Sequence, residues 1–468
     1  MNRYFVLSIL ILSMILAPTV VAQSLTCDVV IVGGGGAGLS AAIEAADNGA
    51  NVILLEKLAF LGGETLISAG TIQGSYTSVQ DEAGIADARK DLFKYWMEAA
   101  HYRNDADLVR TVVDMSSENV DWLIDMGINY TPASLGGGGW TPVYRAHRTP
   151  GGGSEFIRAL AEQARKKNVQ ILLETRATDL IVENGRVVGV KASGKASEVR
   201  ANAVILATGG YAANPELIAK YAPKFVNSQA ITTPGNTGDG LIMGQSVGAK
   251  LVNLGGVIGM RSARGASYRS PLSNLAGRVL VYVNPEGKRF VDENSYYALI
   301  GEAIHRQGGV VYQIFDERVR AGLSADYQEE IEKALATGQI KKGSTIADLA
   351  VQLGMDPDVL TNTINEFNHN TALGHDPVMW RDPSTLLQID QAPYYALEVV
   401  HAHIGTLGGL AIDTDARVIN TEGEVIPGLY AAGSVTGGFF GEVYPAGGSA
   451  IAMIVATGRI AGRNAAQE

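Results

Sequence analysis

The sequence predicts an α/β fold in which a Rossmann-like domain is interrupted by an α+β capping domain. Three observations carry that expectation. Near the N-terminus, "CDVVIVGGGGAGLSAAIEAADNGANVILLEK" runs as an apolar strand, a glycine turn, an alanine-rich helix and a second strand ending at Glu56. Strand and glycine patterns return near the C-terminus in "GTLGGLAID" and "GLYAAGS", ahead of a final apolar helix. Between them, from about Gly255 to His403, the pattern changes to a hairpin-like stretch, "VLVYVNPEGKRFV", followed by helices. The expected division is therefore 27–254 and 405–468 for the two parts of the nucleotide-binding domain, with 255–404 as the cap.

Composition bounds what such a chain does. Its 468 residues, 46% hydrophobic and 18% charged, suffice for two domains with large cores. A net charge of -11, with 37 basic residues spread thinly, leaves no nucleic-acid footprint and disfavours an anionic membrane surface. Cys27 is the only cysteine, so an intrachain disulfide, an iron-sulfur framework and a Cys-x-x-Cys-His haem attachment are all excluded. It reads as a small side chain opening the first strand. The histidines lack metal-ligand company, and no metal is expected.

In chain order, Met1-Asn2-Arg3 precedes an apolar run from Tyr4 to Leu16, then Pro18, with Val20 and Ala22 as small residues at a cleavage site. This predicts a Sec-type signal peptide over 1–22, a periplasmic or secreted protein, and no stable membrane span in the mature form. An N-terminal membrane anchor is the alternative, because the run to Ala22 is nearly long enough to cross a bilayer. Gly33, Gly35 and Gly38 then stand in G-x-G-x-x-G spacing between strand and helix, with Glu56 eighteen residues after Gly38. The first glycine permits a tight turn, the second lets backbone approach a pyrophosphate, the third lets helix pack on strand, and the acid meets ribose hydroxyls. A bound dinucleotide is expected.

Helices are expected at about Ala88 to Ala100 and from Asp105 to Met126, and another, capped by Ser154, to Lys167. Short strands follow near 169–173, 177–183 and 187–192, the last two joined by the hairpin signal "ENGR". A further strand ends in "VILATGGY", and "TTPGNTGDGLIMG" is a loop entering a helix. In the cap, "DPDVLTNTINEFN" has Asp356 as cap and Pro357 at the first helical position. His401 and His403 lie on a strand, with at most one expected to face a pocket, while His147 and Arg148 sit in a basic loop.

These pieces, in this order, resemble the flavoprotein family of soluble fumarate reductases and 3-ketosteroid dehydrogenases. The motifs are "VVIVGGGGAGLSAA", "LGGETLISAG", "ILATGGY", "TGDGL", "GKRFVDE", "GTLGGLAID" and "GLYAAGS". The resemblance implies FAD as the dinucleotide. It places Gly33, Gly35, Ala37 and Gly38 at the pyrophosphate, with Glu56 and Lys57 at the adenosine end. It places Gly62, Gly63, Thr65, Ala69 and Gly70 along the ribityl and isoalloxazine side, with Ala177, Thr208, Gly209, Asp239 and Gly433 completing the sheath. The helix-opening amides of Ser449, Ala450 and Ile451 would face the flavin pyrimidine edge. No histidine sits in "LGGETLISAG", so the resemblance implies non-covalent FAD.

No second nucleotide fingerprint and no redox cysteine pair are present, which leaves exchange between flavin and a C=C bond beside an electron-withdrawing group. Where fumarate reductases carry a proton-delivering arginine and a carboxylate-clamping arginine, this chain has Tyr297 and Pro445. In the ketosteroid dehydrogenase branch those places hold a tyrosine and a Tyr-Pro-x-x-Gly turn, matched here by Tyr444 to Gly448. The resemblance then implies that the Tyr444 hydroxyl and the Gly448 amide hold a ketone oxygen, that Tyr297 moves the neighbouring proton, and that Tyr144 assists it. The expected enzyme is an exported FAD-dependent oxidoreductase acting on CH–CH or C=C bonds beside a carbonyl, with a steroid or other bulky enone as leading substrate. A periplasmic fumarate- or acrylate-type enoate reductase is the alternative, and a flavin electron-carrier subunit is a third. A separate electron donor or acceptor, a cytochrome or quinone, is expected as partner.

Overall fold

The computed structural model describes residues 23–137 and 143–468; the expected signal segment, 1–22, lies outside the described residues. Val29 to Val32 are apolar and buried without a break, the composition of a parallel strand covered on both faces. They pair in parallel with Val52–Leu55 on one side and with Ala203 to Leu206 on the other. An eight-stranded sheet grows from this centre, ordered 417–419, 425–431, 196–206, 23–32, 52–55, 170–172, with 176–183 and 186–193 forming a hairpin beside it. That hairpin turns at Asn184 and Gly185, both left-handed, as "ENGR" predicts.

The helix Gly36–Asp47 and the final helix Ser449–Ala465 lie together over this sheet. A Cβ on Gly458 or Gly462 would stand 2.5 or 2.2 Å from the carbonyl oxygens of Ala37 and Ala41, so these backbones touch with no room for a side chain. Arg459 and Arg463 lock the pair by ion pairs to Glu44.

The cap is built on a second, six-stranded sheet around the long strand Tyr394–Leu410. Leu251–Ala263, Val310–Asp316 and Ile340–Gly343 pair with it antiparallel. Helices Tyr297–Arg306, Ala325–Thr337 and Pro357–Ala372 supply two further apolar clusters. Asp356 caps the last of these through its side chain.

Four expectations change in detail. The cap sheet already takes Gln229–Ala230 and begins its second strand at Leu251, before residue 255, and its long strand runs past 404 to Leu410. The stretch 105–126 is two helices, Ala106–Asp114 and Ser116–Asp125, broken where Ser116 turns its hydroxyl to the Ser75 carbonyl. Helix Gly152–Lys166 is capped by Gly151, with Ser154 inside it. Val281–Val283 pairs with Tyr312 to Ile314 rather than with "KRFV", because Arg289 is drawn into buried ion pairs with Glu293 and Asp376.

Candidate active site

The carboxyl ends of the central strands open onto a cavity, the place where open α/β sheets bind ligands. Gly33, at φ +109°, makes the turn out of the first strand; a Cβ there would stand 2.4 Å from the Ala207 oxygen. Glu56 fastens this turn, accepting from the Gly34 amide at 2.8 Å and the Leu58 amide at 2.8 Å. Helix Gly36–Asp47 starts with no side-chain cap, so its first amides stand free for an anion.

The wall fits a dinucleotide. Gly35 and Gly209 line it, and a Cβ on either would meet nothing closer than 3.8 Å, so it would project into the space a ligand takes. The Asn236 Oδ1 is buried on the same wall without a hydrogen-bond partner. At the far end Lys57 holds Asp239 at 2.9 Å, and Arg176 reaches the same carboxylate at 3.0 Å. Burial works against that charge, but the Lys57 hydrogen bond and charge hold Asp239 below the usual carboxylate range.

Of the expected cofactor residues, Gly33, Gly35, Ala37, Glu56, Lys57, Gly63, Thr65, Ala177, Thr208, Gly209 and Asp239 line the cavity. Gly38, Gly62, Gly70 and Gly433 are tightly packed: a Cβ on each would stand 1.9 to 2.7 Å from Gly33, Leu66, Gly152 and Ala37 atoms respectively. Ala69 is exposed, and Ser449 and Ile451 are buried in the final helix. Glu64, Thr233, Asn236 and Ser434 line the cavity and were not anticipated. Thr233 and Asn236 stand in "TTPGNTGDG", where polar residues around a Pro-Gly turn before a helix are a readable sign.

Ser434 also borders a smaller apolar space lined by Phe439, Phe440, Ala450 and Met453. Beside it lies the turn 444–448. Tyr95 Oη donates to the Pro445 carbonyl at 2.6 Å, and the Gln73 amide donates to the Gly448 carbonyl at 3.2 Å, so the turn is held at both ends. Gly448 sits at φ +97°, and a Cβ there would lie 2.9 Å from the Gln73 nitrogen. Tyr444 is buried with its ring against Phe440, and its hydroxyl accepts from the Ala450 amide at 2.9 Å. The Ala450 amide, expected at the flavin, is thus engaged by Tyr444. Desolvation pushes the Tyr444 hydroxyl up, against the amides of Ala450, Gly448 and Ser449, and it stays a neutral donor.

Tyr297 opens the helix Tyr297–Arg306, and its Cε1 lies 3.9 Å from where a Gly447 side chain would begin. Its hydroxyl is pushed well above the ordinary phenol value by desolvation and by Tyr444, while a hydrogen bond from Tyr296 works the other way. The rings of Tyr296 and Tyr297 are 4.4 Å apart. Tyr268, on a cap loop, acts electrostatically on both Tyr297 and Tyr444 and was not anticipated. The Tyr144 side chain is half exposed, and a phenol that hydrogen-bonds Tyr297 is Tyr296, which precedes it at the helix cap.

His401 and His403 share one face of their strand, as residues two apart must, and both bond the Ser228 hydroxyl, at 2.7 and 2.8 Å. Neither histidine is among the residues that line the cofactor cavity or the smaller apolar space. His147 is buried against Thr77 and the Arg145 carbonyl, pinning its loop. Among the described residues no cluster of His, Cys, Asp and Glu is arranged to hold a metal.

Residues 28–451 match the FAD binding domain family. The chain is 36% identical over 450 residues to a fumarate reductase (cytochrome) of Shewanella frigidimarina, covering 94% of this chain and 77% of that one. An open-conformation flavocytochrome c3 fumarate reductase superposes with a TM-score of 0.79 at 33% identity, over 95% of this chain and 79% of that one. The 3-ketosteroid-delta4-(5alpha)-dehydrogenase of Rhodococcus jostii RHA1, in complex with 4-androstene-3,17-dione, superposes with a TM-score of 0.75 at 28% identity, over 97% and 99% of the two chains. The chain therefore belongs to the FAD-dependent flavoprotein family of the fumarate reductases and 3-ketosteroid dehydrogenases.

Proposed function

We propose that this protein reduces a C=C bond conjugated to a carbonyl, with a bulky apolar enone as substrate and a separate redox protein or quinone as electron source. FAD, held non-covalently by the cavity residues, supplies the hydride equivalent. The protein's part is to hold the carbonyl oxygen and to move a proton. The Tyr444 hydroxyl accepts from a helix-opening amide, which polarises its own proton outward, and the Gly448 amide lies beside it. Together they form a neutral oxyanion hole, which avoids the desolvation cost of a buried guanidinium. Tyr297 stands next to that turn as a protonated phenol, and Tyr296 stabilises the phenolate left after the proton is given.

The observation that carries this reading is the placement of the two phenols: Tyr297 stands beside the 444–448 turn, and the Tyr444 hydroxyl is held by the Ala450 amide at 2.9 Å. The reductive direction is supported by the similarity to a fumarate reductase. A second reading, an enoate reductase, is favoured by Arg269, which shares the cap loop of Tyr268 and reaches Gly152 beside the 68–70 segment. Anaerobically reduced holoenzyme mixed with a cyclic enone, a ketosteroid, acrylate and fumarate separates the two. Rapid flavin reoxidation by the ketones alone supports the first reading. Reoxidation by the carboxylates alone replaces it with the second.

A further inference from the structure

One cavity residue has no place in that chemistry. Glu64 lies on the short helix Gly63–Ile67 and lines the cofactor cavity together with Gly63 and Thr65. Its Oε1 accepts from the Thr232 hydroxyl at 2.8 Å, and a Cβ on Gly405 would lie 3.2 Å from the same oxygen. Every neighbour it meets there is neutral. The charged groups of the wall are Glu56, Lys57, Arg176 and Asp239, and both cations are committed to Asp239. On the long strand the nearest titratable residue in sequence is His403, whose ring is bonded to Ser228 and the Ala212 carbonyl. Among the described residues Glu64 makes no ion pair.

We propose that Glu64 is a redox-linked proton site, a positioning carboxyl that takes up a proton when the FAD in this cavity is reduced and releases it on oxidation. The inference rests on the FAD reading of the cavity. Its physical basis is charge balance. Two electrons and one proton leave a bound flavin one unit more negative than before. An ionised carboxylate in the same low-dielectric space then becomes more costly, with no cation to offset it. Binding one proton at Glu64 removes that repulsion, so reduction takes up two protons per electron pair wherever Glu64 begins ionised. Burial already pushes the Glu64 carboxyl up to about 7, with the Thr232 and Asn236 hydrogen bonds opposing, which sets the lower edge of that range.

The test is the midpoint potential of the holoenzyme, titrated from pH 5.5 to 9 with redox dyes, for the native protein and Glu64→Gln. Below pH 7 the two proteins are expected to show the same slope. Above it, the native slope is expected to correspond to one proton more per electron pair than that of the variant. Equal slopes throughout, with FAD bound to both, would overturn the assignment and leave the FAD reading intact. A native protein that binds no FAD would remove both. If Glu64→Gln fails to retain FAD, Thr232→Val serves instead. Losing the hydroxyl that stabilises the carboxylate should move the native inflection to higher pH, and an unmoved inflection would count against the proposal.

Discussion

Tyr297 and Tyr444 show what enclosure does to a phenol: each loses water that would stabilise its anion, and only the hydrogen bonds it accepts work in the opposite direction. If Tyr297 is the proton donor, Tyr297→Phe should lower the enone reduction rate by roughly 10²- to 10⁴-fold while FAD content and substrate-induced flavin spectral shifts persist. Stopped-flow absorbance separates those effects, and retained turnover would remove Tyr297 from the mechanism. The turn from Tyr444 to Gly448 reads as a unit because its residues are neighbours in sequence, whereas Tyr297 enters the reading only through the family resemblance. Tyr268, Tyr296 and Glu64 were not legible. Nothing in a local pattern marks a residue whose partners lie on another loop, and the Tyr296 ring adjoining Tyr297 reads equally well as packing.

Among the elements, the last helix joins the 444–448 turn to the nucleotide-binding core. Its N-terminus meets Tyr444, and its middle binds the first helix through Arg459, which reaches Glu44, Asn119 and Glu118. Arg459→Ala leaves the buried Glu44 with only Arg463, and should destabilise the fold by about 3 kcal/mol in denaturant unfolding. Gly448→Ala forces a Cβ against the Gln73 nitrogen at an unfavourable φ, so loss of activity with retained FAD is expected. The histidine face of the long strand gives a pH prediction. Burial pushes His401 down to about 3, whereas the unfolded chain binds its proton near about 6.5. Between those values stability falls as pH falls, by up to about 1.4 kcal/mol per unit for this group. Urea midpoints at pH 7 and pH 5 should therefore drop further for the native protein than for His401→Asn. The comparison also cancels Glu64, whose raised carboxyl contributes with the opposite sign between about 4.5 and 7. That helices 106–114 and 116–125 read as one, and that "VLVYV" read as half of a hairpin, have one cause. Ser116 and Arg289 are recruited by residues far away in sequence, and periodicity carries no record of that.

Across the whole molecule, the two sheets and the inserted cap were visible in outline because glycine turns and apolar strands repeat at both ends of the chain. Their border was not, since the long strand Tyr394–Leu410 passes without a break in apolar character from the cap toward the cofactor cavity. A cavity that binds the folded chain's cofactor should stabilise the molecule as a whole. FAD at a hundredfold over its dissociation constant is expected to add about 2.7 kcal/mol to unfolding free energy. No helix among the described residues is long and apolar enough to cross a membrane. Whether neutral donors or a guanidinium hold the substrate oxygen is tested most directly by kcat/KM for an enone in Tyr444→Phe and Arg269→Ala, each with full FAD content. With neutral donors, a loss on the order of 10²-fold is expected for Tyr444→Phe, with Arg269→Ala close to the native value. A large loss at Arg269 with Tyr444→Phe unimpaired would contradict the neutral oxyanion hole.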